Sequence, residues 1–208
     1  AMLGAATAAV VHELKNPLAA IRSTTAILRR RLREDDRGRE LAGVVEEEVD
    51  RLEGTLHEVL GYVRPARSTP AAVVVGDLVR QLAAVVEPDL RRSGVELAVT
   101  VAPEACVVRT DPERLRRALL NLLLNAREAM PRGGAVEVTA APWRGDGGTP
   151  RGAEVTVSDS GPGFSEEALA RAFEPFYSSK RLGTGLGLAN VRRTMDESGG
   201  EVVLANRP

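Results

Sequence analysis

The chain has 208 residues, of which 43% are hydrophobic and 27% charged, enough apolar content for one large core or two small ones, so disorder as the main state is excluded. Twenty-eight Lys and Arg stand against 29 Asp and Glu, for a net charge of -1, and nothing in that balance recommends nucleic acid or an anionic membrane as a partner. Cys106 is the single cysteine, which excludes an internal disulfide framework, and no apolar run reaches the roughly 18 to 20 residues of a spanning helix; a soluble piece in a reducing, cytoplasmic compartment is expected.

From Val11 onward Leu14, Leu18, Ile21, Leu28 and Leu32 step by three and four, with Thr25 in the remaining seam position. This is a heptad-like helical stripe. Polar residues from Glu34 to Gly38 interrupt it, after which Val45, Val49, Leu52, Leu56, Val59 and Val63 resume the spacing. An all-α helical hairpin follows. Two helices cannot enclose both stripes, so a second copy is expected to complete a four-helix bundle. Pro65 and Pro70 end the periodicity, and the first domain is expected over residues 1–66, the second over 67–208.

The second domain mixes types. A helix is predicted from about Asp77, strands near Val95 to Val101 and around Val107, and a helix from Pro112 to Met130, with Asp111 as N-cap and Pro112 at the first helical position. Ala135 to Ala141 and Ala153 to Ser158 alternate as two strands around a Gly-rich loop, and a late helix precedes a final strand at Glu201 to Leu204. This is an α+β pattern. Cys106, in an Ala-Cys-Val-Val setting, reads as a small core residue.

The run His12-Glu13-Leu14-Lys15-Asn16-Pro17-Leu18 puts the imidazole off the apolar seam and toward solvent. Asn16 lies one turn on, on the same face, and Pro17 should bend the helix by crowding the carbonyl of Glu13. A phosphoacceptor histidine needs an exposed nitrogen lone pair, and a neighbouring carboxylate such as Glu13 can fix the tautomer and take the displaced proton. Taken alone, these residues favour a surface histidine beside a chance acid.

Asn121 and Asn125 stand one turn apart on an otherwise apolar helix, and buried amides need partners. An Asn oxygen is a hard ligand suited to Mg²⁺; a helix cap or a polar core network explains one such residue more readily than two. Asp159, Gly161 and Gly163 follow a strand, where a carboxylate can accept from an exocyclic amine and glycines permit close approach; alone, this is also an ordinary turn. Phe173, Phe176 and Tyr177 are three of the six aromatic residues and suggest a packed hinge. Next come Lys180, Gly183, Thr184, Gly185, Leu186, Gly187 and Leu188, a Gly-rich loop entering a helix, whose backbone N–H groups and dipole favour phosphate. Lys180 could add a point charge. The glycines do not follow the first strand of a βαβ unit, so a dinucleotide-binding reading fails on context.

In this order, over nearly the whole chain, these residues resemble the H, N, G1, F and G2 boxes of sensor histidine kinases. The resemblance implies a dimeric hairpin carrying the phosphoacceptor, joined to a Bergerat-type ATP-binding domain, an α+β two-layer sandwich. Carried over, His12 is the phosphorylated residue, Glu13 the adjacent acid, and Asn16 a polar group near the transferred phosphoryl. Asn125 would hold Mg²⁺, with Asn121 close to the phosphates; Asp159 would read the adenine amino group beside Gly161 and Gly163; Lys180 to Leu188 would form the lid and phosphate cradle. The implied cofactors are ATP and Mg²⁺. The implied partners are a second copy and the receiver domain of a response regulator, with no nucleic acid and no membrane contact by this piece, which leaves room for a membrane-tethered full-length protein.

Asn121 stands where ATPase relatives carry the glutamate that activates water, and it is a poor base. Glu128 stands where many histidine kinases carry a basic residue. The chain stops at Pro208, short of the family's further strand, so the sheet is expected to be incomplete. The competing readings are a non-catalytic scaffold that docks a response regulator and a Bergerat-type ATPase.

Overall fold

The computed structural model describes residues 17–30, 32, 36–63, 69–104, 106–144, 150–180 and 184–207. The chain divides into two compact units, Ala1–Arg67 and Ser68–Pro208. The first is a helical hairpin of α1 (residues 17–30) and α2 (Asp36–Val63). Among the described residues, Thr25, Ala42 and Val49 are its buried ones. The Thr25 hydroxyl donates to the carbonyl of Ile21 at 2.8 Å, which satisfies a polar group at a seam position. Arg29 pairs with Glu46 across the hairpin. Of the other described seam residues, Leu18, Leu32 and Leu56 are half-buried, while Ile21, Leu28, Val45 and Leu52 stay exposed.

The second unit runs β1 (Ala71–Val74), α3 (Val75–Arg92), β2 (Val95–Val101), β3 (Val107–Thr110), α4 (Pro112–Ala129), β4 (Gly134–Arg144), β5 (Pro150–Asp159), α5 (Glu166–Arg171) and α6 (Gly187–Glu197). β4 is the centre of a three-stranded sheet. β2 lies parallel to it, with Val95 opposite Gly134, and β5 lies antiparallel, with Val136 opposite Asp159. A parallel neighbour needs a crossover, and β3 with α4 supplies it. β1 and β3 form a separate antiparallel pair.

Along β4, Val136, Val138 and Ala140 are buried while Glu137 and Thr139 are not fully so, the period of two that puts one face on a helix layer. Leu78, Leu82 and Leu90 of α3 and Leu115, Leu119 and Leu123 of α4 pack onto that face. Cys106 is buried in the same core. No helix among the described residues is long and apolar enough to cross a membrane.

Asp111 caps α4 as its position ahead of Pro112 predicts. One carboxylate oxygen accepts from the N–H groups of Glu113 at 3.0 Å and Arg114 at 3.1 Å, and the other from the N–H of Thr69 at 3.1 Å. Burial by itself raises the Asp111 pKa, but these N–H groups and the Arg114 guanidinium outweigh it, so the carboxyl sits below its ordinary range.

The strand expected at Glu201 to Leu204 is absent. Residues 201–207 make no ladder, and side chains tie them down instead. The Asn206 amide accepts the N–H of Phe164 and donates to its carbonyl, both at 2.8 Å, and Arg207 pairs with Glu137 at 2.7 Å. Val202 and Leu204 are half-buried and Val203 exposed, so the segment has a strand's alternation without a strand's backbone partner.

Candidate functional site

α4 organises the candidate site. Asn121, Asn125 and Glu128 recur at helical spacing and share one face, which meets Lys180 and Gly187. Asn121 donates from Nδ2 to the carbonyl of Gly187 at 3.3 Å. Lys180 donates from Nζ to Asn125 Oδ1 at 3.1 Å and pairs with Glu128 Oε2 at 2.5 Å. One strip of α4 thus meets both the start of α6 and the loop before it.

That loop is pinned at two points. Gly185 has φ +68, and a Cβ there would lie 2.4 Å from the carbonyl carbon of Phe176; only glycine fits so close an approach in a left-handed conformation. Its carbonyl accepts the N–H of Phe176 at 3.0 Å. Leu186 next to it is fully buried, 0% exposed, and its N–H donates to Thr184 Oγ1 at 3.3 Å. Gly187 opens α6, where a Cβ would make only ordinary contact, 3.6 Å from Asn125 Nδ2. Packing does not demand glycine there, and the missing side chain leaves the first turn of α6 open on the Asn125 side. Leu188 follows, half-buried.

The second group sits just beyond, at the C-terminal end of α4. Asp159 ends β5, half-buried, and its Oδ1 accepts the N–H of Gly161 at 2.8 Å. A Cβ on Gly161 would be 2.7 Å from that oxygen and 3.2 Å from the Ala129 Cβ, so the turn lies against the last residue of α4. Ala129 is about 6 Å along the helix axis from Asn125. Gly163 has φ +72, and Asn206 Oδ1 occupies the space its Cβ would take, at 2.7 Å.

The structure therefore gathers Asn121, Asn125, Lys180, Thr184, Gly185, Leu186, Gly187 and Leu188 at one stretch of α4 and Asp159, Gly161 and Gly163 at its end. His12, Glu13, Asn16 and Gly183 lie outside the described residues. The expected aromatic hinge is packed in two rings of three. Arg192 lies 5.0 Å from the Phe173 ring centroid and Arg171 4.2 Å from that of Tyr177. Phe176 instead is 67% exposed with φ 67, because its backbone turns left-handed to reach Gly185. The structure gives Glu128, already singled out in the sequence, a partner in Lys180, and adds one further residue, Asn206, whose contacts span 42 positions and have no local signature.

The profile of the family described as His Kinase A (phospho-acceptor) domain matches residues 2–67, and that of the Histidine kinase-, DNA gyrase B-, and HSP90-like ATPase family matches residues 110–208. Among relatives, the sensor histidine kinase ZraS of Klebsiella oxytoca is 35% identical over 206 residues, 99% of this chain and 44% of that protein. Among solved structures, full-length ShkA in complex with AMPPNP superposes with a TM-score of 0.74 at 29% identity, over 95% of this chain and 43% of that one. Histidine kinase ThkA in complex with the response regulator protein TrrA gives 0.69 at 25% identity, over 99% and 58%. The chain spans less than half the length of the relative ZraS.

Proposed function

The chain belongs to the sensor histidine kinases, and we propose that it moves the γ-phosphoryl group of ATP onto His12 and from there to an aspartate of a response-regulator receiver domain. The observation that carries this reading is the convergence of Asn121, Asn125, Lys180 and the start of α6 on one face of α4, in a chain that also matches a phosphoacceptor domain.

Asn125 fits a Mg²⁺ ligand, because its Oδ1 already accepts from a cationic group. Among the described residues no group of three or more His, Cys, Asp or Glu could hold a metal, so the remaining ligands would be phosphate and water oxygens, as Mg²⁺ favours. The ion would supply charge neutralisation at the triphosphate. Asp159 would accept a hydrogen bond from the adenine amino group, with Gly161 and Gly163 keeping that wall free of side chains. Lys180, Thr184 and the backbone N–H groups of Gly183 to Leu188 would meet the phosphate oxygens. Asn121 sits near them without a carboxylate to activate water, which favours transfer over hydrolysis.

At His12 a ring-nitrogen lone pair forms the N–P bond while the bond from phosphorus to the bridging oxygen breaks and ADP leaves. Glu13 takes the proton from the other ring nitrogen, and Asn16 orients the phosphoryl group. Positioning and charge neutralisation then supply most of the rate. Residues 1–66 act as the phosphoacceptor unit and 67–208 as the nucleotide unit of a cytoplasmic core in a longer sensor. The exposed seam of α1 and α2 supports a homodimer.

Incubation with γ-labelled ATP and Mg²⁺ tests the reading. Protein-bound label is expected, falling on the order of a hundredfold in Asn125→Ala. Free phosphate without labelled protein would instead support an ATPase.

A further inference from the structure

The ammonium of Lys180 stands where the proposed reaction needs a divalent cation. Its Nζ is 3.1 Å from Asn125 Oδ1 and 2.5 Å from Glu128 Oε2. Both acceptors belong to α4, three positions apart, whereas Lys180 belongs to the loop ahead of α6. The two side chains are 39% and 48% exposed, so the pair is open to exchange with solvent ions. Lysine suits such a seat, since a compact charge with three donors passes readily between acceptor sets, unlike arginine's planar fork. Glu128 has no favourable contact to offer a triphosphate, because like charges repel. Its partner in the structure is the lysine.

We propose that Glu128 and Lys180 form a latch on the cation site. The ammonium, retained by Glu128, covers the Asn125 oxygen. Mg²⁺ arriving with nucleotide must displace it, which releases Lys180 toward the phosphates. Glu128 is thus a positioning residue that sets the Mg²⁺ concentration at which nucleotide binds. This rests on the nucleotide reading above. A seat already filled lowers the fraction of competent lobes, and apparent affinity falls by that fraction. An exposed ion pair shifts an equilibrium by a factor of about two to five.

A double-mutant cycle separates the latch from bulk charge. Calorimetric titrations of AMPPNP at graded Mg²⁺ would compare the parent chain, Glu128→Gln, Lys180→Met and the double variant. The latch predicts that Glu128→Gln lowers the Mg²⁺ midpoint about two- to fivefold when Lys180 is present and leaves it unchanged in the Lys180→Met background. Glu128→Ala, which removes the acceptor as well as the charge, should shift it at least as far. Unchanged melting curves without nucleotide are expected for all four, because both sites are half-exposed. Equal lowering in both backgrounds would mean relief of carboxylate–phosphate repulsion, and no change or a rise beside Lys180 would make Glu128 a bystander or a metal-side ligand; each overturns the latch. A parent chain that binds no AMPPNP with Mg²⁺ would remove the nucleotide reading itself, and the latch with it.

Discussion

In the nucleotide unit Val75 and Leu90 of α3 are each 2% exposed, whereas in the hairpin Ile21, Leu28, Val45 and Leu52 are 44%, 51%, 41% and 41% exposed. Both sets lie on apolar helical stripes. The difference is in what each stripe meets within its own unit: α3 is walled by α4 and a sheet face, while among the described residues of the hairpin α1 and α2 face each other. Heptad spacing marks an apolar face and leaves its cover unspecified. In the α/β unit the same chain supplies the cover; in the hairpin a second copy is proposed to do so.

Changes at four positions sharpen or break that contrast. Leu90→Ala, in the closed core, should cost about 2 to 5 kcal/mol in urea unfolding of the nucleotide unit. Val45→Asp on the open seam should leave that unfolding midpoint where it is and weaken the dimer in sedimentation equilibrium by about 1.5 to 3 kcal/mol for each apolar side chain uncovered. A parent chain that stays monomeric at micromolar concentration would break the contrast outright.

Asp111→Ala removes the α4 cap and should cost about 0.5 to 2 kcal/mol. Because the folded-state pKa of Asp111 lies below its unfolded value, its stabilisation is present above the unfolded value and is lost as pH falls through the folded one. The stability of Asp111→Asn should therefore decline less steeply than the parent's on acidification below about pH 4. The smallest effect is expected from Arg207→Ala, which breaks an exposed pair with Glu137 and should change stability by less than about 1 kcal/mol.

Elements with a local signature were legible in the residues. Asp111-Pro112 marks the start of α4, alternation marks β4 and β5, and the glycine run marks the entry to α6. Asn121 and Asn125 were legible for the same reason, since a helix turns sequence spacing into a shared face. β1 is four residues long, too short to show a period, and exists through its pairing with β3. α5 is six residues long and rests on Ser165, whose Oγ accepts the N–H of Ala168 at 3.2 Å. The alternation at Glu201 to Leu204 imitates a strand because side chains, through Asn206 and Arg207, hold it against the unit. Phe176 has a core residue's chemistry, but the hydrogen bond to Gly185 and a left-handed backbone turn it outward. The meeting of Lys180 and Glu128 joins positions 52 apart, and no spacing rule reaches that far.

The most direct measurement of the central claim is the chemical stability and location of the phosphate after incubation with γ-labelled ATP and Mg²⁺. The label should be lost in acid, survive base, map to the peptide holding His12 and vanish in His12→Gln. Label that resists acid, or that persists in His12→Gln, would contradict the account.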